Sequence, residues 1–287
     1  MTTHDVRFIK FFNNEFSLKF AQTDKSFFIY NMKIASRYLS NVSGFPSLNY
    51  IVSGNDLKII NTSPHFHEDV YTNTIIQDWE DVKSGTTKKD IIIVYRNPID
   101  RLASAILQDA YSFVLAQNSN LYIYPLMENL GYKEHEIDLL YTVFQETAMW
   151  VEPNKEEILE KMFFDIIGIY FENFLKRASF EDSHYLSHML PIVKLLTTTN
   201  IDTNKITMIN LDTQPDELES YLKKVEIYNP PPKEISFEPK SGNRKDRLEY
   251  ILKLIIKENN HRVVMERIKG ELYAYNILTH YHKKLQS

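Results

Sequence analysis

The sequence predicts an α/β fold: a central, mainly parallel sheet flanked by helices, with a helical insertion. Three observations lead there. Short apolar runs of strand length, Ser26–Asn31, Asp90–Tyr95 and Ile206–Asn210, are each followed closely by a segment of helical periodicity. Strands that alternate with helices in this way pair in parallel and carry helices on both faces of the sheet. Residues 105–196 keep helical spacing with no strand between them, and 287 residues with 43% hydrophobic side chains suffice for one large core. A single domain over residues 1–287 is expected, with a mainly helical region at about 105–200.

Taken in order, Ser26 to Asn31 is a strand. Met32 to Leu39 turns at once into a helix, with Ile34, Tyr38, Leu39 and Val42 at helical spacing until Gly44-Phe45-Pro46 ends the pattern. Leu48–Val52 and Leu57–Thr62 flank Ser53-Gly54-Asn55-Asp56 and read as a hairpin. A polar stretch with His65 and His67 leads to a helix around Thr74–Val82, which breaks at Ser84-Gly85. Asp90–Tyr95 is nearly continuously apolar, as a central strand covered on both faces must be, and a helix starts at Ile99. Glu156–Ala178 is the longest amphipathic stretch of the helical region. Ile206–Asn210 is the last strand and Pro215–Val225 a helix with proline in its first turn. Pro230-Pro231-Pro232 interrupts regular structure, Pro239–Arg247 forms a basic loop, and two helices finish the chain.

Composition excludes several classes. With 33 Lys and Arg against 38 Asp and Glu, the net charge of −5 provides no field for coating nucleic acid. The absence of cysteine removes disulfides, thiolate nucleophiles and cysteine-bound zinc. Only seven glycines occur, and neither G-x-x-x-x-G-K-[ST] nor G-x-G-x-x-G is present. Charged residues interrupt the first ten positions and no apolar run approaches ~18 residues, so neither a signal peptide nor a membrane span is expected, and a cytoplasmic location is.

A strand that turns into a helix offers free backbone N–H groups and the positive end of the helix dipole, both suited to phosphate. Two such junctions carry cations. At the first, Lys33 adds a mobile charge, Ser36 a hydroxyl and Arg37 a planar fork; at the second, Arg96 ends the strand and Ser104 lies one to two turns into the helix. Both can face one ligand at the carboxyl edge of the sheet.

Arg96-Asn97-Pro98-Ile99-Asp100-Arg101-Leu102-Ala103-Ser104 fits R-x-P-x-x-R-x-x-S and resembles the 3′-phosphate motif of the sulfotransferases that use 3′-phosphoadenosine 5′-phosphosulfate (PAPS). Lys33-Ile34-Ala35-Ser36-Arg37 is similar to their 5′-phosphosulfate loop, in the K-x-G-T-R form of the heparan sulfate sulfotransferases, with Ala35 where glycine is usual. The resemblance implies the P-loop-NTPase-like fold of that family and PAPS as sulfuryl donor, with no metal. It implies Arg96 and Ser104 on the 3′-phosphate, Ser36, Arg37 and the backbone near Ala35 on the 5′ side, and Lys33 at the leaving phosphate. Pro239-Lys240-Ser241-Gly242-Asn243-Arg244 resembles the family's cofactor-covering loop, which implies contacts from Lys240, Ser241 and Gly242. Asp182-Ser183-His184-Tyr185 is similar to a histidine motif of carbohydrate sulfotransferases and makes His184 a candidate substrate contact. The implied acceptor is a small molecule or a glycan bearing a hydroxyl or amine.

His65 and His67 alternate, so an extended segment puts both on one side, and either suits a catalytic base, with Glu68 as substitute. Other readings stand beside these. The Arg96 segment alone could cap a helix with Arg101 on a solvated face, and His184 and His188 could join His65 and His67 in an imidazole metal site. His280 and His282 read as solvated. A phosphoryl-transfer enzyme or a non-catalytic nucleotide-binding module are the alternative functions.

Overall fold

The computed structural model describes residues 15–30, 50–53, 56–62, 70–115, 119–146, 157–176, 189–228 and 243–286. The chain divides into two compact units. One comprises Met1–Arg101, Phe180–Pro232 and Ile268–Ser287, the other Leu102–Ser179 and Lys233–Arg267.

The first unit holds a six-stranded sheet in the order β4-β3-β1-β2-β5-β6. Its strands are β1 (Glu15–Gln22), β2 (Ser26–Tyr30), β3 (Tyr50–Ser53), β4 (Ile59–Thr62), β5 (Asp90–Tyr95) and β6 (Ile206–Asn210). The expected α/β class is present, but the sheet is mixed rather than mainly parallel. β2, β5 and β6 run parallel, whereas β1 pairs antiparallel with β2 and β3, and β3 with β4. The reason is β1, a strand absent from the sequence-based expectation. Its Phe16, Leu18 and Phe20 alternate into the core, and the turn at Thr23–Lys25 is too short for anything but an antiparallel return. Thr23 closes that turn, its Oγ1 accepting from the Ser26 amide at 2.9 Å.

Alternation along the strands builds two apolar faces. On one, Phe27, Ile29, Ile91, Ile93, Ile206 and Met208 pack with α1 (Val70–Ser84), α6 (Leu190–Thr198) and the last part of α9 (Glu258–Gln286). On the other, Phe28, Tyr30, Ile92, Val94 and Ile209 pack with Leu218 and Leu222 of α7 (Pro215–Lys224). β5, buried from Ile91 to Tyr95, is covered on both faces, as its unbroken apolar sequence requires.

The second unit is helical in its described residues: α2 (Pro98–Leu115) from Leu102 onward, α3 (Ser119–Asn129), α4 (Glu134–Glu146), α5 (Glu157–Lys176), α8 (Asn243–Ile256) and α9 as far as Arg267. α5 buries Met162, Phe163, Ile166, Ile167 and Phe171, and α8 buries Ile251 and Ile255. Arg247 of α8 pairs with Glu160 of α5 and lies over the Phe163 ring, and Tyr132 donates to Asp165 at 2.6 Å. Asn243–Arg247 is thus the start of a helix, not the end of a basic loop. Asp246 sits in its first turn, where a carboxylate complements the helix dipole.

Candidate functional site

The sheet register brings several strand ends to one level. Tyr30 lies opposite Val94, and Tyr95 opposite Asn210. On the antiparallel side Thr62 lies opposite Tyr50 and Tyr50 opposite Leu18, while the next residue, Lys19, lies opposite Tyr30. Tyr30, Tyr95 and Asn210 therefore end the three parallel strands within one residue of a common level, whereas β4 runs the opposite way and its last residue, Thr62, heads away from that edge. Arg96 and Asp212 follow the ends of β5 and β6; the residues just after Tyr30 and Thr62 lie outside the described residues.

Of these, the segment at Arg96 is described. Asn97 caps α2: its Oδ1 accepts from the Ile99 amide at 2.9 Å, its carbonyl from the Arg101 amide at 3.0 Å, and Pro98 fills the first helical position. The carboxylate of Asp212, in the turn after β6, spans the junction. Oδ1 accepts from Nε of Arg96 at 3.3 Å and Oδ2 from the backbone amide of Asn97 at 2.5 Å. Arg96 keeps 32% of its side chain exposed. Burial pushes the nearby Asp100 carboxyl up; Arg96 draws it down and Asp212 pushes it up further. Ser104, the seventh residue of α2, is 7% exposed and belongs to the second unit.

Beneath this edge lies a polar layer that local patterning did not reveal. Arg101 is not on a solvated face: it is 1% exposed, and its Nε and Nη2 donate to the two carboxylate oxygens of Glu271 in α9, each at 2.5 Å. His282 is likewise not solvated. At 8% exposure its Nδ1 meets the Tyr95 hydroxyl at 3.0 Å and its Nε2 lies 3.1 Å from Gln286. The face of α9 that covers the sheet carries both Glu271 and His282 inward, which explains the difference. Burial lowers the His282 imidazole below its ordinary range and raises the Tyr95 hydroxyl. Asn210 completes the layer, donating to the Tyr275 hydroxyl at 3.3 Å and accepting from the Asp212 amide at 3.0 Å.

Lys33, Ala35, Ser36, Arg37, His65, His67, Glu68, His184, His188, Lys240, Ser241 and Gly242 lie outside the described residues. Among the described residues no group of three or more His, Cys, Asp or Glu could hold a metal ion, and no helix is long and apolar enough to cross a membrane. A cavity of about 230 Å³ between β6 and α7, lined by Thr207, Ile209, Glu217, Ser220, Tyr221 and Lys224, contains none of the residues singled out above. Sequence reasoning missed Asp212, Glu271 and His282. A carboxylate just after a strand end was a signal for the first; the others carry no local mark. Comparison with family models, with curated proteins and with solved structures finds no match for this chain.

Proposed function

We propose that the chain binds PAPS across the carboxyl ends of β2 and β5 and transfers its sulfuryl group to a hydroxyl or amine acceptor. The observation that carries this reading is the common level of the strand ends. β2 and β5 are parallel neighbours, so the two junctions that resemble sulfotransferase motifs open at the same edge. Lys33 follows Tyr30 by three residues, which keeps it within about 11 Å of that strand end. Among the described residues Arg96 suits a phosphate: it is part-exposed at a helix start, with one of its N–H groups held by Asp212 and its two Nη groups without a hydrogen-bond partner, although the Asp100 carboxylate is near enough to feel its charge.

PAPS, when bound, supplies an activated sulfuryl group on a good leaving phosphate. In this reading Arg96 binds the 3′-phosphate, and Ser36, Arg37 and the turn at Ala35 bind the 5′ side. Lys33 offsets the charge that builds on the bridging oxygen. His67 or His65 accepts the proton of the acceptor hydroxyl. The heparan-like form of Lys33–Arg37 favours a carbohydrate acceptor, and His184 is a further proposed contact to it.

Thermal unfolding with adenosine 3′,5′-bisphosphate beside ATP and magnesium tests the nucleotide. At a hundredfold excess over Kd the bisphosphate should stabilise by about 2.7 kcal/mol. Preference for ATP would favour a phosphoryl-transfer enzyme, and indifference to both would remove the nucleotide site. Transfer of labelled sulfate from PAPS to a panel of glycans then separates enzyme from binding module. Lys33→Ala and His67→Ala are expected to lower the rate at least a hundredfold, roughly the scale of a lost proton-transfer or oxyanion group. Full activity in Lys33→Ala would contradict its role.

A further inference from the structure

Asp212 divides its two carboxylate oxygens between two donors, one holding the Arg96 side chain by Nε and the other the peptide amide of Asn97. The side chain of Arg96 is thereby tied to the backbone turn that follows it. Asp212 is in turn set by the sheet. Its amide donates to Oδ1 of Asn210, and the Leu211 amide donates to the Tyr95 carbonyl at 3.1 Å, which carries the β5–β6 pairing one step beyond the strands. A continuous set of bonds thus runs from the strand register to one guanidinium. An arginine has two edges that can meet an oxyanion, the Nε edge and the end-on fork of the two Nη groups. Asp212 occupies the first, and the second has no hydrogen-bond partner among the described residues, with the Asp100 carboxylate near enough to interact with the guanidinium charge.

We propose that Asp212 is a positioning residue for the 3′-phosphate: by holding Nε it presents the Nη fork of Arg96 to the phosphate oxygens. The inference rests on the function proposed above. A free arginine loses rotamer freedom when it takes up an anion, whereas one already held by Nε has lost it beforehand and binds with less penalty. The opposite effect, repulsion of phosphate by the Asp212 charge, predicts the opposite sign, so a single substitution decides between them.

Asp212→Asn keeps an oxygen for the Asn97 amide but offers no second acceptor to Arg96. Titration of the full chain with adenosine 3′,5′-bisphosphate and with adenosine 5′-monophosphate reads the outcome. The variant should bind the bisphosphate roughly three- to tenfold more weakly and the monophosphate unchanged, the span of one ordered side chain. In an Arg96→Ala background it should add nothing, because the effect passes through that residue. Unchanged or tighter bisphosphate binding, or equal loss for both nucleotides, overturns the positioning role and leaves the proposed function standing. A wild-type chain that binds the two nucleotides equally overturns both.

Discussion

Arg101 and Glu271 show how far a single residue's meaning depends on its partner. Both are buried and meet through two parallel hydrogen bonds. Removing one partner leaves a charge in the interior, so Glu271→Gln or Arg101→Met should destabilise by about 3–5 kcal/mol in denaturant unfolding, while replacing both by apolar residues of similar volume should restore much of the loss. His282 makes a prediction of opposite character. Burial lowers its folded pKa below the ordinary value of about 6.5, with Glu217 partly opposing. The unfolded chain then binds more protons than the folded one, so this contribution is complete above about pH 6.5 and is lost as pH falls through the folded value. His282→Gln should flatten that part of the pH–stability curve; an unchanged slope between about pH 7 and 5 would contradict it. Neither residue was legible in its neighbourhood, because a long helix with alternating charged and apolar residues does not announce which charge faces inward.

At the scale of elements, local chemistry accounts for most boundaries. α1 ends in a Schellman motif: the Thr86 amide donates to the Asp81 carbonyl at 2.9 Å and the Gly85 amide to that of Val82 at 3.1 Å, with Gly85 at a φ of 72°. A Cβ there would lie 3.2 Å from the Asn200 carbonyl oxygen. Gly85→Ala should therefore cost about 1–2 kcal/mol, measurable as a lower midpoint in urea. The Ser84-Gly85 break, β5, β6 and the Pro215 helix are all visible in sequence because their signals, apolar runs, glycine and proline, act within a few residues. β1 was overlooked for a different reason. Its period-two pattern rests on only three residues, Phe16, Leu18 and Phe20, and Ser17 and Lys19 between them are polar in sequence although buried in the fold.

At the scale of the whole molecule, each unit is assembled from separated stretches of chain. The first unit draws its last helical cover from Ile268–Ser287, which supplies Glu271, Ala274, Leu278 and His282 to its interior. A chain ending at Arg267 should lose the folded sheet unit, since it uncovers the core and leaves Arg101 without its counter-charge. Trp79, buried and donating to the Leu57 carbonyl, reports this directly. In a Trp150→Phe background, native-like fluorescence of the truncated chain would refute the expectation.

The sequence by itself determined the α/β class, the identity of many of the described strands and helices, and the residue types that follow the ends of β2 and β5, because periodicity, turn residues and caps act between near neighbours. Tertiary structure decided what those residues meet. It made the sheet mixed, by returning β1 and the β3–β4 hairpin antiparallel, and it ended the three parallel strands within one residue of a common level. It also joined Arg96 to Asp212 across 116 residues, Arg101 to Glu271 across 170 and Tyr95 to His282 across 187. Such pairings are set by topology and by the burial of one helix face, and no window of sequence contains both partners.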